Sequence, residues 1–207
     1  MVKESIFNPD HQAGSVPSKV VAAMERLSEA FRVLLWNEAK QHGISSTIQI
    51  QILTFLLYYP ESKRTITYLA NYFNMTKATI SDAVKALESK GLVVRKANVT
   101  DTRSHTLLLS REGKTIARKV EKFAHPMQQA VLNLAPEKQN LLLEQLLKLI
   151  GHLNEQGVIT PQSMCGNCQY YAAKGRTGHY CTLVQMMLRV TDLKLDCPDF
   201  EPLAAKY

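Results

Sequence analysis

The chain has 207 residues, 45% of them hydrophobic and 21% charged, which is enough apolar material for an ordinary core and excludes wholesale disorder. Its formal charge of +7 suits a polyanionic partner and says nothing about fold. Residues 1–14 lack the basic start and unbroken apolar stretch of a secretory signal, and Gln, Lys, Glu or His interrupts every apolar window, so a cytoplasmic protein without membrane spans is expected.

Residues 1–16 are read as a mobile start. Pro17 and Ser18 then open a long helix, in which Val20, Met24, Leu27, Phe31 and Leu34 form one apolar stripe reaching to about Gly43. From Thr47 to Tyr59 the pattern is ambiguous. Ile48, Ile50 and Ile52 alternate as in a strand while Leu53, Leu56 and Leu57 follow helical spacing; helix is the expectation, ended by Pro60.

A short helix is expected from Ile66 to Phe73, then a turn, then a second helix starting at Thr76 with Ile80, Val84 and Leu87 on its buried face and Gly91 at its end. The period changes to two from Leu92. Strands through Val94 and over Thr106–Ser110 flank a polar loop from Asn98 to Ser104, giving a basic hairpin. Gly113 leads into a helix carrying Ile116, Val120, Phe123 and Met127, with Pro126 as a bend. Pro136 opens a last long helix striped by Leu142, Leu146, Leu149, Ile150 and Leu153; Gly157 and Pro161 then mark a boundary.

Short helix, turn, helix and basic hairpin make a winged helix-turn-helix. A helix has the width to enter the major groove of B-DNA and reads it with its N-terminal residues. Thr76, Lys77, Thr79, Ser81 and Lys85 occupy that position, and Arg95, Lys96 and Ser104 belong to the hairpin. Between Thr76 and Lys114 eight Lys or Arg stand against four Asp or Glu, so four of the seven excess charges lie where DNA would lie. No phosphate-binding glycine loop, His-Glu-x-x-His helix or nucleophile arrangement is present, so enzymatic catalysis is not expected.

Leu69, Ala70 and Phe73, then Thr76, Ser81, Leu87 and Gly91–Val93, then Asp101, Arg103, Leu107 and Leu109–Gly113 resemble the MarR family of bacterial regulators. The resemblance implies that Arg103 enters the minor groove and that Asp101 holds the wing's basic residues, with Arg95 as its candidate partner. It also implies a homodimer intertwined through the first and last helices and a pseudo-palindromic operator in double-stranded DNA; the wing and cysteine patterns together suggest a repressor.

A typical member of that family ends near residue 157, and the remaining segment carries all four cysteines, Cys165, Cys168, Cys181 and Cys197, spaced C-x2-C-x12-C-x15-C. In a reducing compartment such clustering points to ligation rather than disulfides. Four thiolates suit zinc or an iron-sulfur cluster. The single C-x2-C knuckle with two separate cysteines, and Tyr170, Tyr171, Tyr180 and Phe200 as walls, is similar to the small cubane-cluster subunits of some glycyl radical enzymes and favours a four-iron cluster. His179 is read as a neighbour, not a ligand.

The expectation is therefore a mainly α protein with a small β-wing. Residues 17–157 form the winged helix-turn-helix with its dimerisation helices, and 158–207 a small cysteine-ligated module. The function expected is transcriptional regulation with a redox- or metal-sensing centre. Two alternatives stay open: a regulator answering a small-molecule effector with structural zinc, and an iron-sulfur accessory of electron transfer or a radical enzyme.

Overall fold

The computed structural model describes residues 5–97, 105–160, 163–175 and 178–203. The chain divides into two compact units, one of residues 1–69 and 77–126, the other of residues 70–76 and 127–207. Among the described residues no helix is long and apolar enough to cross a membrane.

The first unit begins with α1 (Pro9–Gly14) and α2 (Val16–Gln41). The Asn8 side chain accepts the Asp10 amide and the Ser15 hydroxyl accepts that of Ser18, so each helix has a capped start with proline in its first turn. The segment expected to be a mobile lead-in thus contains a short helix. Asn followed by Pro is a helix-start signal that the polar composition of the segment had hidden.

The core of this unit is α3 (Thr47–Tyr58), whose Ile50, Ile52, Leu53 and Leu56 are fully buried. Apolar on nearly every side, α3 packs against α2 and the later elements, and this all-round burial is why its sequence could be read as strand or helix. Its one buried polar side chain, Gln49, accepts from the amide and hydroxyl of Ser45 and donates back to that hydroxyl.

The helix-turn-helix consists of α4 (Ile66–Tyr72) and α5 (Lys77–Ser89). Ile80, Ala83, Val84 and Leu87 form the buried face of α5, and Gly91, at φ 68°, ends it with its neighbour's amide bonded back to the Leu87 carbonyl. Strands β1 (Val93–Ala97) and β2 (His105–Leu109) pair antiparallel, Val93 opposite Leu109 and Ala97 opposite His105. The Leu107 amide also donates to the Arg64 carbonyl, anchoring β2 to the turn before α4.

Helix α6 (Arg111–Val120) is capped by the Ser110 hydroxyl, which accepts the Gly113 amide at 2.9 Å. Gly113 therefore lies inside the helix instead of leading into it. A Cβ there would stand 1.9 Å from the Leu92 carbonyl oxygen, so only glycine lets α6 approach the wing so closely. The bend expected at Pro126 is a 3-10 turn over Glu121–Ala124, immediately before α7 (His125–Leu132).

The second unit includes α8 (Pro136–Glu155) and the cysteine segment. There β3 (Tyr171–Lys174), β4 (Gly178–Cys181) and β5 (Met186–Leu188) form an antiparallel sheet in that order. The 3-10 turns Cys165–Asn167 and Val190–Asp192 pack on α8. The apolar stripes of α2 and α8 remain on the surface, with Leu27 at 52% and Leu149 at 43% exposure.

Candidate functional site

Thr76, just before α5, and Lys77, Thr79 and Lys85 on it are exposed and Ser81 is half-buried, away from the buried Ile80 face. The helix is fixed by its apolar side and offers the polar one. The Lys85 ammonium lies 3.2 Å from the Asp82 carboxylate. Lys90, past the helix end, donates to the Gly43 carbonyl and belongs to the scaffold. Arg95 and Lys96 are exposed on β1.

Arg95 donates through Nε to Glu88 at 2.9 Å, tying the wing strand to the last turn of α5. Glu88 was not singled out from sequence, because its role depends on the register that sets β1 beside α5. The expected Asp101–Arg95 contact lies outside the described residues, as do Asp101, Arg103 and Ser104 themselves.

The turn between α4 and α5 has a second tie. Asn74 adopts φ 53°, a left-handed conformation that Asn tolerates better than most residues. Its side chain accepts the Thr160 amide at 2.6 Å, and the Thr160 hydroxyl donates to the Asn71 carbonyl at 2.7 Å. The stretch leading into the cysteine segment is thereby hydrogen-bonded to the helix-turn-helix turn.

All four cysteines are free thiols and line one cavity of about 70 Å³. Cys165 and Cys168 flank the 3-10 turn, with the Cys168 amide on the Cys165 carbonyl. Cys181 ends β4, and the Cys197 amide donates to the Ser163 carbonyl. Lys194 brackets Cys165: its carbonyl accepts the Cys165 amide at 3.0 Å, and its own amide donates to the sulfur at 3.3 Å. Tyr170 and Tyr171 wall this cavity as expected, whereas Leu183, Val184 and Leu188 stand where Tyr180 and Phe200 were anticipated.

Burial pushes the Cys165 thiol up, its bond from Lys194 opposes that, and the nearby Cys197, Cys168 and Cys181 push it further up. Four thiolates cannot share this space without a cation among them. Among the described residues no three His, Cys, Asp or Glu side chains are arranged to hold one metal ion, although all four thiols face one cavity. His179 lies outside this cavity's lining.

These elements define a winged helix-turn-helix protein carrying a four-thiol module. Residues 42–104 match the family profile described as MarR family. The fold is similar to that of Staphylococcus aureus MepR in a DNA complex, at 21% identity and TM-score 0.58, covering 64% of this chain and 97% of that one. It is also similar to a MarR protein from Peptoclostridium difficile, at 19% identity and TM-score 0.59, covering 69% and 92%. A MarR transcriptional regulator from Methanosarcina mazei matches at 19% identity and TM-score 0.55, covering 67% and 96%. No curated protein matches the chain.

Proposed function

We propose that this chain is a cytoplasmic, dimeric regulator of transcription that reads duplex DNA with α5 and its wing, and whose four-thiol module holds an iron-sulfur cluster that sets operator affinity. The DNA-reading part is carried by one observation. The outer face of α5 presents Thr76, Lys77, Thr79 and Lys85 to solvent while Ile80, Val84 and Leu87 lock the opposite face, with Arg95 and Lys96 exposed on the adjoining strand.

Dimerisation is supported by the apolar stripes of α2 and α8, including Leu27, Phe31, Leu146 and Leu149, which a single chain leaves in water. The cluster is supported by four free thiols lining one cavity, with Tyr170, Tyr171, Leu183, Val184 and Leu188 around them. Cys165, Cys168, Cys181 and Cys197 would be its ligands, and the Lys194 amide on the Cys165 sulfur is the kind of hydrogen bond that tunes such a centre. The bonds from Thr160 to Asn71 and Asn74 give the module a route to the helix-turn-helix turn.

Anaerobic purification, metal analysis and an optical spectrum test the centre. Binding to DNA sites selected from genomic fragments, measured with the centre intact and removed, tests its role. A visible absorption band with iron and inorganic sulfide, and unequal affinities for the two states, are expected. A second reading is structural zinc, favoured by the small core of the cysteine segment, where among the described residues only Met164, Asn167 and Cys168 are buried. A colourless protein with one zinc per chain and equal affinities selects it. Absence of DNA binding at low salt, with Arg103→Ala equally inert, overturns the regulator reading.

A further inference from the structure

We propose that the cleft between α8 and the cysteine segment is a binding site for a small amphipathic anion, an aliphatic carboxylate, seated against the Cys165 side of the thiol module. The cleft has a volume of about 350 Å³, within the range of small-molecule sites. Glu144, Lys148, Gly151 and Glu155, at helical spacing on one face of α8, form one wall. It is a different space from the thiol cavity, with which it shares Cys165, Tyr171 and Lys194.

Gly151 gives the first sign that the space is meant to be kept. Glycine inside a helix is less favourable than alanine, so an interior glycine asks for a reason. A Cβ at Gly151 would meet no atom within 4 Å, so packing within this chain does not require its absence. What the glycine leaves open is the cleft.

The charges select the ligand. Of the acids in the lining, Glu144 is paired with Lys148 at 2.6 Å, while Glu155 is exposed, 3.7 Å from His152. Lys194, exposed in the lining, makes no ion pair among the described residues, and His179 Nε2 is buried without a hydrogen-bond partner. Tyr171 Oη lies 2.6 Å from His179 Nδ1; with the hydroxyl donating, Nε2 carries the hydrogen and is a donor awaiting an acceptor. An unpaired ammonium and an unpaired imidazole N–H call for a carboxylate, and Leu147, Leu193 and Met164 supply an apolar wall for its hydrocarbon part.

The test reads binding rather than regulation. Full-length protein, as purified, is titrated calorimetrically with hexanoate, hexan-1-ol and hexylammonium as probes of one length and three charges. Hexanoate is expected to bind once per chain, at least tenfold more tightly than the other two. Lys194→Gln, at an exposed position, should weaken hexanoate about tenfold and leave hexanol unchanged, and Gly151→Phe should abolish it. Gly151→Ala should bind as the parent does, with circular dichroism and thermal unfolding reporting that each variant is folded.

Equal binding of all three probes, no hexanoate binding, or hexanoate binding indifferent to both Lys194→Gln and Gly151→Phe overturns the proposal. Each of these results leaves the colour and metal content of the protein, and so the cluster reading, untouched.

Discussion

Replacing Lys77 with Gln removes a cation from the first position of α5, where the side chain is exposed. A phosphate contact releases about 0.9 counterions, and a two-fold dimer contains the position twice, so the slope of log affinity against log salt should fall by about 1.8. At roughly 0.15 M salt that corresponds to about a 30-fold loss of DNA affinity. A lysine at a helix N-terminus opposes the helix dipole, so Lys77→Gln should leave the fold as stable as before or slightly more so. Weaker binding could then not be blamed on unfolding. Lys85→Gln should cost less, because Lys85 must first leave Asp82, and Lys90→Gln should leave the slope unchanged, because Lys90 is turned to the Gly43 carbonyl. Fluorescence anisotropy of a labelled duplex across a salt series, with thermal unfolding in parallel, measures all three. An unchanged slope for Lys77→Gln, or equal losses for Lys77 and Lys90, would refute the assignment of α5 as the reading helix.

Gly113→Ala forces a Cβ against the Leu92 carbonyl; overpacking of this kind costs about 1–3 kcal/mol, so the melting temperature should fall by roughly 3–10 °C, and an unchanged value would show that α6 can retreat from the wing without penalty. Glu88→Gln releases Arg95 from its internal partner and removes a carboxylate from the DNA-facing side, so non-specific DNA binding should tighten a few-fold with a steeper salt slope; weaker binding would mean that holding Arg95 in place matters more than freeing it. Cys181→Ser takes one of four sulfurs from the shared cavity and should abolish the visible band and lower metal content, with an unaltered spectrum removing Cys181 from the ligand set. Thr160→Val, which keeps the side chain's shape and loses its hydroxyl, should bring the DNA affinities of centre-intact and centre-depleted protein closer together; an unchanged ratio would take Thr160 out of the coupling route.

Much of the winged domain was legible because its signals are local. The Ile80, Val84 and Leu87 stripe, the stop at Gly91 and the alternation through β1 and β2 each follow from a few neighbouring residues, and the structure places them as read. Gly113, expected to lead into the helix, lies within its first turn, because Ser110 is the cap and the glycine answers a tertiary contact with Leu92. The cysteine spacing announced that four thiols would meet. It could not say which apolar side chains would enclose them, since Leu183, Val184 and Leu188 reach the cavity only through the β4–β5 pairing. The cleft beside α8, the Glu88–Arg95 tie and the Thr160 bonds lay beyond sequence reading for the same reason. Each joins residues whose separation along the chain carries no periodic signal.

The energetics of the Thr160 tie are of the size that regulation requires. Asn74 sits in a left-handed conformation that few non-glycine residues adopt. Thr160 supplies two supports, one to the Asn74 side chain and one to the Asn71 carbonyl. At a net 0.5–1.5 kcal/mol for an ordinary hydrogen bond, together they bias the turn by about 1–3 kcal/mol. That is the usual span of coupling free energies between sites, corresponding to roughly 5- to 150-fold in affinity. Thr160 lies five residues before Cys165, whose amide and sulfur are both held by Lys194. If the thiols hold the proposed centre, a change in it would reach the turn before α5 through the Cys165–Lys194 bracket and these two bonds, and the Thr160→Val variant tests that coupling.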